Sequence, residues 1–280
     1  MGKGSAASVA SSLETSYTGI QLALVVGICG GAPSSSSGQE IFLSDIIFSD
    51  SVIDYDFGRQ YPGGFQRKSG VKDTLGRPNR EIRTLLNALR AEITRNEFQS
   101  RIQQYLDMLQ RTGTRWCHPK IHDVLFKSSY IRKHYGNASS VTCGCSDTPR
   151  EICNGALEKN CDDLRCDKSQ AIRCREDAIR VSTHIGTLAS ADTVMKSGQH
   201  REIIVRKEEV IGFEMEGAGV WDNIPCIVIK GVCDYADTHK NKAWQAYAAA
   251  TGASAAKAFL EYWRPRSQEG RFGGYRIPDK

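Results

Sequence analysis

The chain has 280 residues, enough for one large domain or two small ones at roughly 150 residues per domain. Charged residues make up 25% and hydrophobic residues 40%, which excludes a collagen-like, coiled-coil or wholly disordered chain. Thirty-seven Lys and Arg against 32 Asp and Glu leave +5, too thin a charge for a dedicated nucleic-acid binder but compatible with small anionic or neutral ligands.

No run reaches the about 18 apolar residues that cross a bilayer, and the best stretch, Leu22 to Ala32, carries three glycines. Met1 to Leu13 alternates Ser and Ala without an apolar core, so no secretory signal is read there. Ala6 stands where myristoylation requires Ser or Thr. A cytoplasmic protein with no membrane association is expected, and its ten cysteines are then thiols or metal ligands rather than a disulfide framework.

In chain order, Ala6 to Ser16 reads as an Ala/Ser-rich helix ended by a turn at Tyr17 to Gly19. Leu22 to Cys29 is a continuous aliphatic run, the pattern of a strand buried on both faces of a parallel or mixed sheet. Ile46 to Phe48 and Ser51 to Ile53 read as two further strands, followed by a Gly-rich loop from Gly58 to Gly70 and by Pro78 in the first turn of a helix. Ile82, Leu85, Leu86, Leu89 and Ile93, then Phe98, Ile102, Tyr105, Leu106 and Leu109, follow helical spacing and predict two consecutive amphipathic helices or one bent helix. From about 111 to 175 the pattern gives way to short polar pieces with six cysteines between Cys143 and Cys174, read as an insertion. Strand-like runs return at Ile179 to Ala189, Val210 to Phe213 and Cys226 to Ile229. A last Ala-rich helix spans about Trp244 to Trp263, stopped by Arg264-Pro265. The domain is therefore expected over 1–264 and a disordered basic tail over 265–280.

The sharpest chemical signal is Phe213-Glu-Met-Glu-Gly-Ala-Gly219 after one apolar run and Asp234-Tyr-Ala-Asp237 after the next. In α/β folds ligands gather at the carboxyl ends of strands, so Glu214, Glu216 and Asp234 converge on one pocket if these strands are parallel neighbours. The alternative for each acid alone is helix capping: Asp234 or Asp237 before the last helix, Glu216 in the first turn of the one before. Two strand-end acids beside small residues favour a ligand site. His184, on an apolar strand, reads as a satisfied core histidine.

Gly27-Ile-Cys-Gly-Gly31, Leu43 to Asp50, Leu188-Ala-Ser-Ala-Asp-Thr-Val194, Phe213-Glu-Met-Glu216 and Cys233-Asp-Tyr-Ala-Asp237 resemble, in order, motifs of the nucleoside phosphorylase/nucleosidase superfamily. The likeness is to fungal phosphorylase-like domains at the head of NOD-like or ankyrin-repeat proteins and, more distantly, to bacterial methylthioadenosine/adenosylhomocysteine nucleosidases. It begins after the family's opening βα units, so the Glu or Arg those units carry is expected to be missing. The resemblance implies a phosphorylase/hydrolase-like α/β fold, three-layer α/β/α with a central mixed sheet, a homo-oligomer, and cleavage of the N-glycosidic bond of purine nucleosides or nucleotides. It also implies no cofactor, with phosphate as a candidate co-substrate. By residue matching, Asp234 is the catalytic acid toward the purine, Glu216 holds the ribose hydroxyls over Met215, Glu214 stands beside them, Thr193 and Val194 line the base site, and Cys29 and Gly30 lie near the ribose and nucleophile. Cleavage builds positive character on the ribose and negative charge on the leaving base, which is work for paired carboxyl groups. The rival reading is a catalytically silent nucleoside-binding or oligomerising module of a signalling protein.

The Cys-rich segment has no C-x-x-C pair, so no metal is the expected state. The alternative is a structural zinc drawn from Cys143, Cys145, Cys153, Cys161 and Cys166, aided by His118, His122 or His134. With the basic tail, that alternative gives a third reading, a zinc-dependent nucleic-acid binder.

Overall fold

The computed structural model describes residues 2–34, 38–134, 145, 153–175 and 180–265. In chain order the elements are α1 (Lys3–Ser16), β1 (Ala23–Gly31), β2 (Ile46–Asp54), β3 (Gly58–Tyr61), β4 (Gly64–Arg67), α2 (Arg80–Arg90), α3 (Glu92–Gln110), β5 (Asp123–Phe126), α4 (Asn154–Leu157), β6 (Ala171–Arg175), β7 (Thr183–Ser190), α5 (Gly198–Glu208), β8 (Val210–Glu214), α6 (Gly217–Trp221), β9 (Cys226–Asp234) and α7 (Gln245–Tyr262). The fold is α/β with a mixed central sheet, ordered β1-β8-β7-β2-β9 and closed on itself by the parallel pairing of β9 with β1. Helices pack around it, with α7 against β9 and β1, α3 behind α7, and α6 with α1 near β2 and β9.

The apolar runs explain this arrangement. Every residue of β9 is buried, as an unbroken aliphatic strand between neighbours requires. It runs in register with β1 from Ala23 opposite Cys226 to Cys29 opposite Val232, then bulges so that Gly30 faces Asp234. The Ala-rich face of α7 lets its backbone approach the sheet, and Phe259 stacks on Phe48 with ring centroids 5.9 Å apart. Phe98 of α3 closes the same cluster, 5.6 Å from Phe48.

Several sequence expectations are corrected. The two runs between Ile46 and Ile53 form one strand, with a register shift between Ser49 and Ser51. Gly58 to Gly70 is no simple loop: β3 and β4 pair as a hairpin, Gly58 opposite Arg67 and Tyr61 opposite Gly64. Pro78 precedes α2 rather than opening it. Asn79 is the cap, its side-chain oxygen accepting from Ile82 N at 2.9 Å. The two amphipathic helices fall as α2 and α3. Within 111–175, β5 and β6 form an antiparallel pair that the polar composition did not suggest. The tail beyond Pro265 lies outside the described residues. No helix among the described residues is long and apolar enough to cross a membrane.

Candidate active site

The two acid-bearing strand ends meet through β1. They are neither neighbours nor parallel, as the sequence reading supposed: β9 runs parallel to β1, whereas β8 runs antiparallel to it. Gly30 nevertheless pairs with Phe213 on one side and Asp234 on the other. At ordinary strand spacing, the ends of β8 and β9 therefore stand roughly 10 Å apart across Gly30.

Asp234 is buried at the end of β9. Its Oδ1 accepts the Ala236 amide at 2.8 Å and pairs with Lys240 Nζ at 3.0 Å, while Oδ2 receives, among the described residues, the Cys233 thiol alone, at 3.3 Å. This tight turn puts Ala236 at φ 51, a left-handed conformation that a non-glycine residue adopts rarely. Gly30 makes room for it. A Cβ there would lie 2.9 Å from Asp234 Oδ1 and 2.9 Å from Ala236 Cβ, so the smallest side chain is what lets the carboxylate sit over β1.

On the β8 side the three residues Glu214, Met215 and Glu216 have different tasks. Glu214 is expected to face the ligand, but its side chain is fully buried and caps α6, accepting from Gly217 N at 3.0 and 2.9 Å and from Glu216 N at 3.0 Å. Capping wins there because α6 starts three residues later and its amides need an acceptor. Glu216 makes no cap bond; its carboxylate turns to Lys230 Nζ at 2.8 Å and is partly exposed. Lys230, buried in β9, also lies 3.4 Å from Glu214. Burial opposes its charge, but Glu214 and Glu216 hold the ammonium above its ordinary range. Met215 is half-buried beside them.

Thr193 and Val194 follow β7, whose Ser190 pairs with Glu214, so they reach the β8 side of the site. Both are exposed, and the Thr193 carbonyl accepts the Tyr55 hydroxyl at 2.8 Å. Cys29 is buried in the core rather than open to a ligand. Burial pushes its thiol well up, with Lys230 opposing and Asp234 and Glu214 adding to the shift, which places the residue inside the field of both acid groups.

A cavity of about 410 Å³ opens at the end of β9, within the usual range of ligand pockets. Asp234, Asp237, Phe126, His239 and Trp244 line it, with Cys161 and Cys166 on the far wall. A second cavity of about 400 Å³ shares Asp234 and Asp237 and adds Lys196, Lys240 and Arg132. Glu216, Met215, Thr193 and Val194 line neither cavity. The structure thus puts Asp234 in a cavity wall and Glu216 at a separate edge of the same β1 crossing.

Sequence reasoning gave Asp237 only as a motif acid or helix cap and missed several other groups around the cavity. Asp237 is buried, its Oδ1 accepting His239 N at 2.7 Å and its Oδ2 3.8 Å from Arg201. Burial raises its carboxyl above the usual range, with Arg201 and the His239 amide opposing. His239 stacks on Phe126 with centroids 4.3 Å apart. Burial, and then Arg132, bring its imidazole down to about 3, and its Nε2 has no hydrogen-bond partner among the described residues. Tyr235 donates to Asp123 of β5 at 2.6 Å and receives Arg173 of β6 at 2.8 Å. The Cys-rich segment is thereby pinned to the end of β9. His184 is a core residue as expected but only half satisfied: Nε2 lies 2.8 Å from Asp45, while the buried Nδ1 has no hydrogen-bond partner among the described residues. Of the zinc candidates, Cys145 and Cys153 gather on His134, Cys161 and Cys166 form a separate pair beside Arg132, and Cys143 lies outside the described residues.

No family model matches the chain. It is 32% identical over 266 residues to a nucleotide-binding leucine-rich repeat (NLR)-like protein of Hyaloscypha variabilis, covering 92% of this chain and 23% of that protein. The chain therefore spans under a quarter of the length of the curated relative it matches. Among solved structures it is similar to a putative 5'-methylthioadenosine/S-adenosylhomocysteine nucleosidase of Francisella philomiragia, at 15% identity and TM-score 0.47, over 94% of this chain and 76% of that one. It is also similar to the futalosine hydrolase of Helicobacter pylori, at 14% identity and TM-score 0.49, over 93% and 76%. A third is the nucleosidase of S. pneumoniae with a transition-state inhibitor, at 15% identity and TM-score 0.49, over 94% and 78%. These structures transfer no residue role to this chain, whose site stands on its own geometry.

Proposed function

We propose that the chain binds a purine nucleoside or nucleotide across the end of β1 and cleaves its N-glycosidic bond. The observation that carries this reading is the register that flanks Gly30 with Asp234 on one side and the Glu-Met-Glu turn on the other. Asp234 Oδ2, engaged among the described residues by a thiol alone, protonates or hydrogen-bonds the purine as the bond to the sugar breaks and its electron pair leaves with the base. Glu216, aimed by its contact with Lys230, accepts the ribose hydroxyls, and Met215 gives the sugar an apolar face that keeps out stray water. Thr193 and Val194 stand on the β8 side, with Glu216. The oxygen that bonds to the sugar carbon comes from water or from phosphate.

One observation favours a second reading, a silent nucleoside-binding or oligomerising module of a signalling protein. Both functional carboxylates already carry a lysine partner, Lys240 on Asp234 and Lys230 on Glu216, and the curated relative is an NLR-like protein. Incubation with adenosine, inosine, guanosine, methylthioadenosine and ATP, with and without phosphate, separates the two. Free base from any of them supports cleavage; retained binding without base supports the module. Light scattering on the same sample reads the homo-oligomer that belongs to either proposal.

A further inference from the structure

We propose that His134, Cys145 and Cys153 hold a zinc ion. Cys145 Sγ and Cys153 Sγ each lie 3.5 Å from the same atom, His134 Nδ1, and the three ligand atoms are mutually within 4.8 Å. Zinc bonds of about 2.3 Å to sulfur and about 2.0 Å to nitrogen, at a tetrahedral angle, separate sulfur and nitrogen by about 3.5 Å. A shared cation accounts for both thiols at equal distance. Two thiolates and a neutral imidazole also balance the charge of a divalent zinc. Neither cysteine is in a disulfide.

The surroundings give the ion a structural task. Cys153 starts the turn into α4. Arg132, two residues before His134, is buried and donates to the Lys240 carbonyl at 2.8 Å. The metal would thus tie the start of the Cys-rich segment to the loop whose Lys240 pairs with Asp234. The cavity wall formed by Cys161 and Cys166 follows directly along the chain.

The test uses the full chain. Protein purified without chelator is expected to carry one zinc by mass spectrometry of the metal, and cobalt exchanged into it is expected to give thiolate charge-transfer absorption with the visible bands of a tetrahedral site. His134→Gln, Cys145→Ser and Cys153→Ser each weaken zinc binding on the order of a hundredfold against a chromophoric chelator, whereas Cys117→Ser and Cys174→Ser leave it unchanged. Zinc content well below one ion per chain after reconstitution, a cobalt spectrum without thiolate bands, or a metal-free Cys145–Cys153 disulfide overturns the proposal. So does full zinc retention by all three ligand variants. If the variants fail to fold, the wild-type cobalt spectrum still decides the question.

Discussion

Gly30→Ala tests the crossing at which the site is built. The added Cβ would stand 2.9 Å from Asp234 Oδ1, 2.9 Å from Ala236 Cβ and 3.2 Å from Ala236 Cα, all inside normal van der Waals contact. Neither neighbour has an easy retreat. Asp234 Oδ1 is bound to the Ala236 amide and to Lys240, and Ala236 already has φ 51. Overpacking of this kind costs about 1–3 kcal/mol, which for a chain of this size lowers the thermal midpoint by roughly 2–5 °C. The carboxylate must also shift by tenths of an ångström, and misplacement of a reacting group lowers rate on the order of tenfold or more. The assay pairs urea and thermal unfolding with base release for Gly30→Ala, wild type and Gly4→Ala. Gly4 sits in α1, where an added Cβ meets nothing within 4 Å, so that variant should lose no stability. A Gly30→Ala protein with wild-type midpoint and wild-type activity would refute the placement of Asp234 over β1.

Lys230→Met removes the ammonium from two carboxylates, one of them fully buried, and is expected to destabilise the fold by about 3 kcal/mol in urea titration at neutral pH. Because the folded pKa of Lys230 lies above its ordinary 10.5, the wild-type contribution is complete below about pH 10.5 and fades as pH climbs through the higher folded value; alkaline titration of the unfolding midpoint should show this loss in wild type and not in the variant. His239 has the opposite sense. Its folded value of about 3 lies below the ordinary 6.5, so the unfolded chain binds the extra proton between those limits and stability falls as pH drops below 6.5, by about 2 kcal/mol at pH 5. His239→Phe, which keeps the stacking on Phe126, should flatten that part of the profile; an equally steep acid loss in the variant would remove His239 as its source.

The elements legible in the sequence are those whose cause is local. The aliphatic runs at Leu22 to Cys29 and Cys226 to Ile229 became β1 and β9, and the spaced apolar residues after Asn79 became α2 and α3. Strand order was not legible, because periodicity reports which face a strand buries and not which strand lies beside it; hence β1 between β8 and β9 came only with the structure. The β5–β6 pair escaped for a related reason. β5 is only four residues long and β6 carries Arg and Cys, and what fixes them is the contact of Tyr235 with Asp123 and Arg173, distant in sequence. Of the site, Asp234 and Glu216 were marked by their motifs. One missed signal was present: a lysine inside Cys226-Ile-Val-Ile-Lys-Gly-Val is a buried charge that requires a carboxylate partner, and Lys230 finds two. Asp237 stood in the motif but read only as a helix cap, and Arg201 and His239 showed no such local oddity, since only burial makes them unusual.

Release of free base by wild type and Asp234→Asn, measured side by side over the same nucleosides with thermal midpoints recorded for both, bears most directly on the proposed chemistry. The wild type should liberate base from at least one purine nucleoside or nucleotide, and Asp234→Asn should do so on the order of a hundredfold more slowly while folding and binding normally. Equal rates from the two proteins, or a wild type that neither binds nor cleaves any of these compounds, would contradict it.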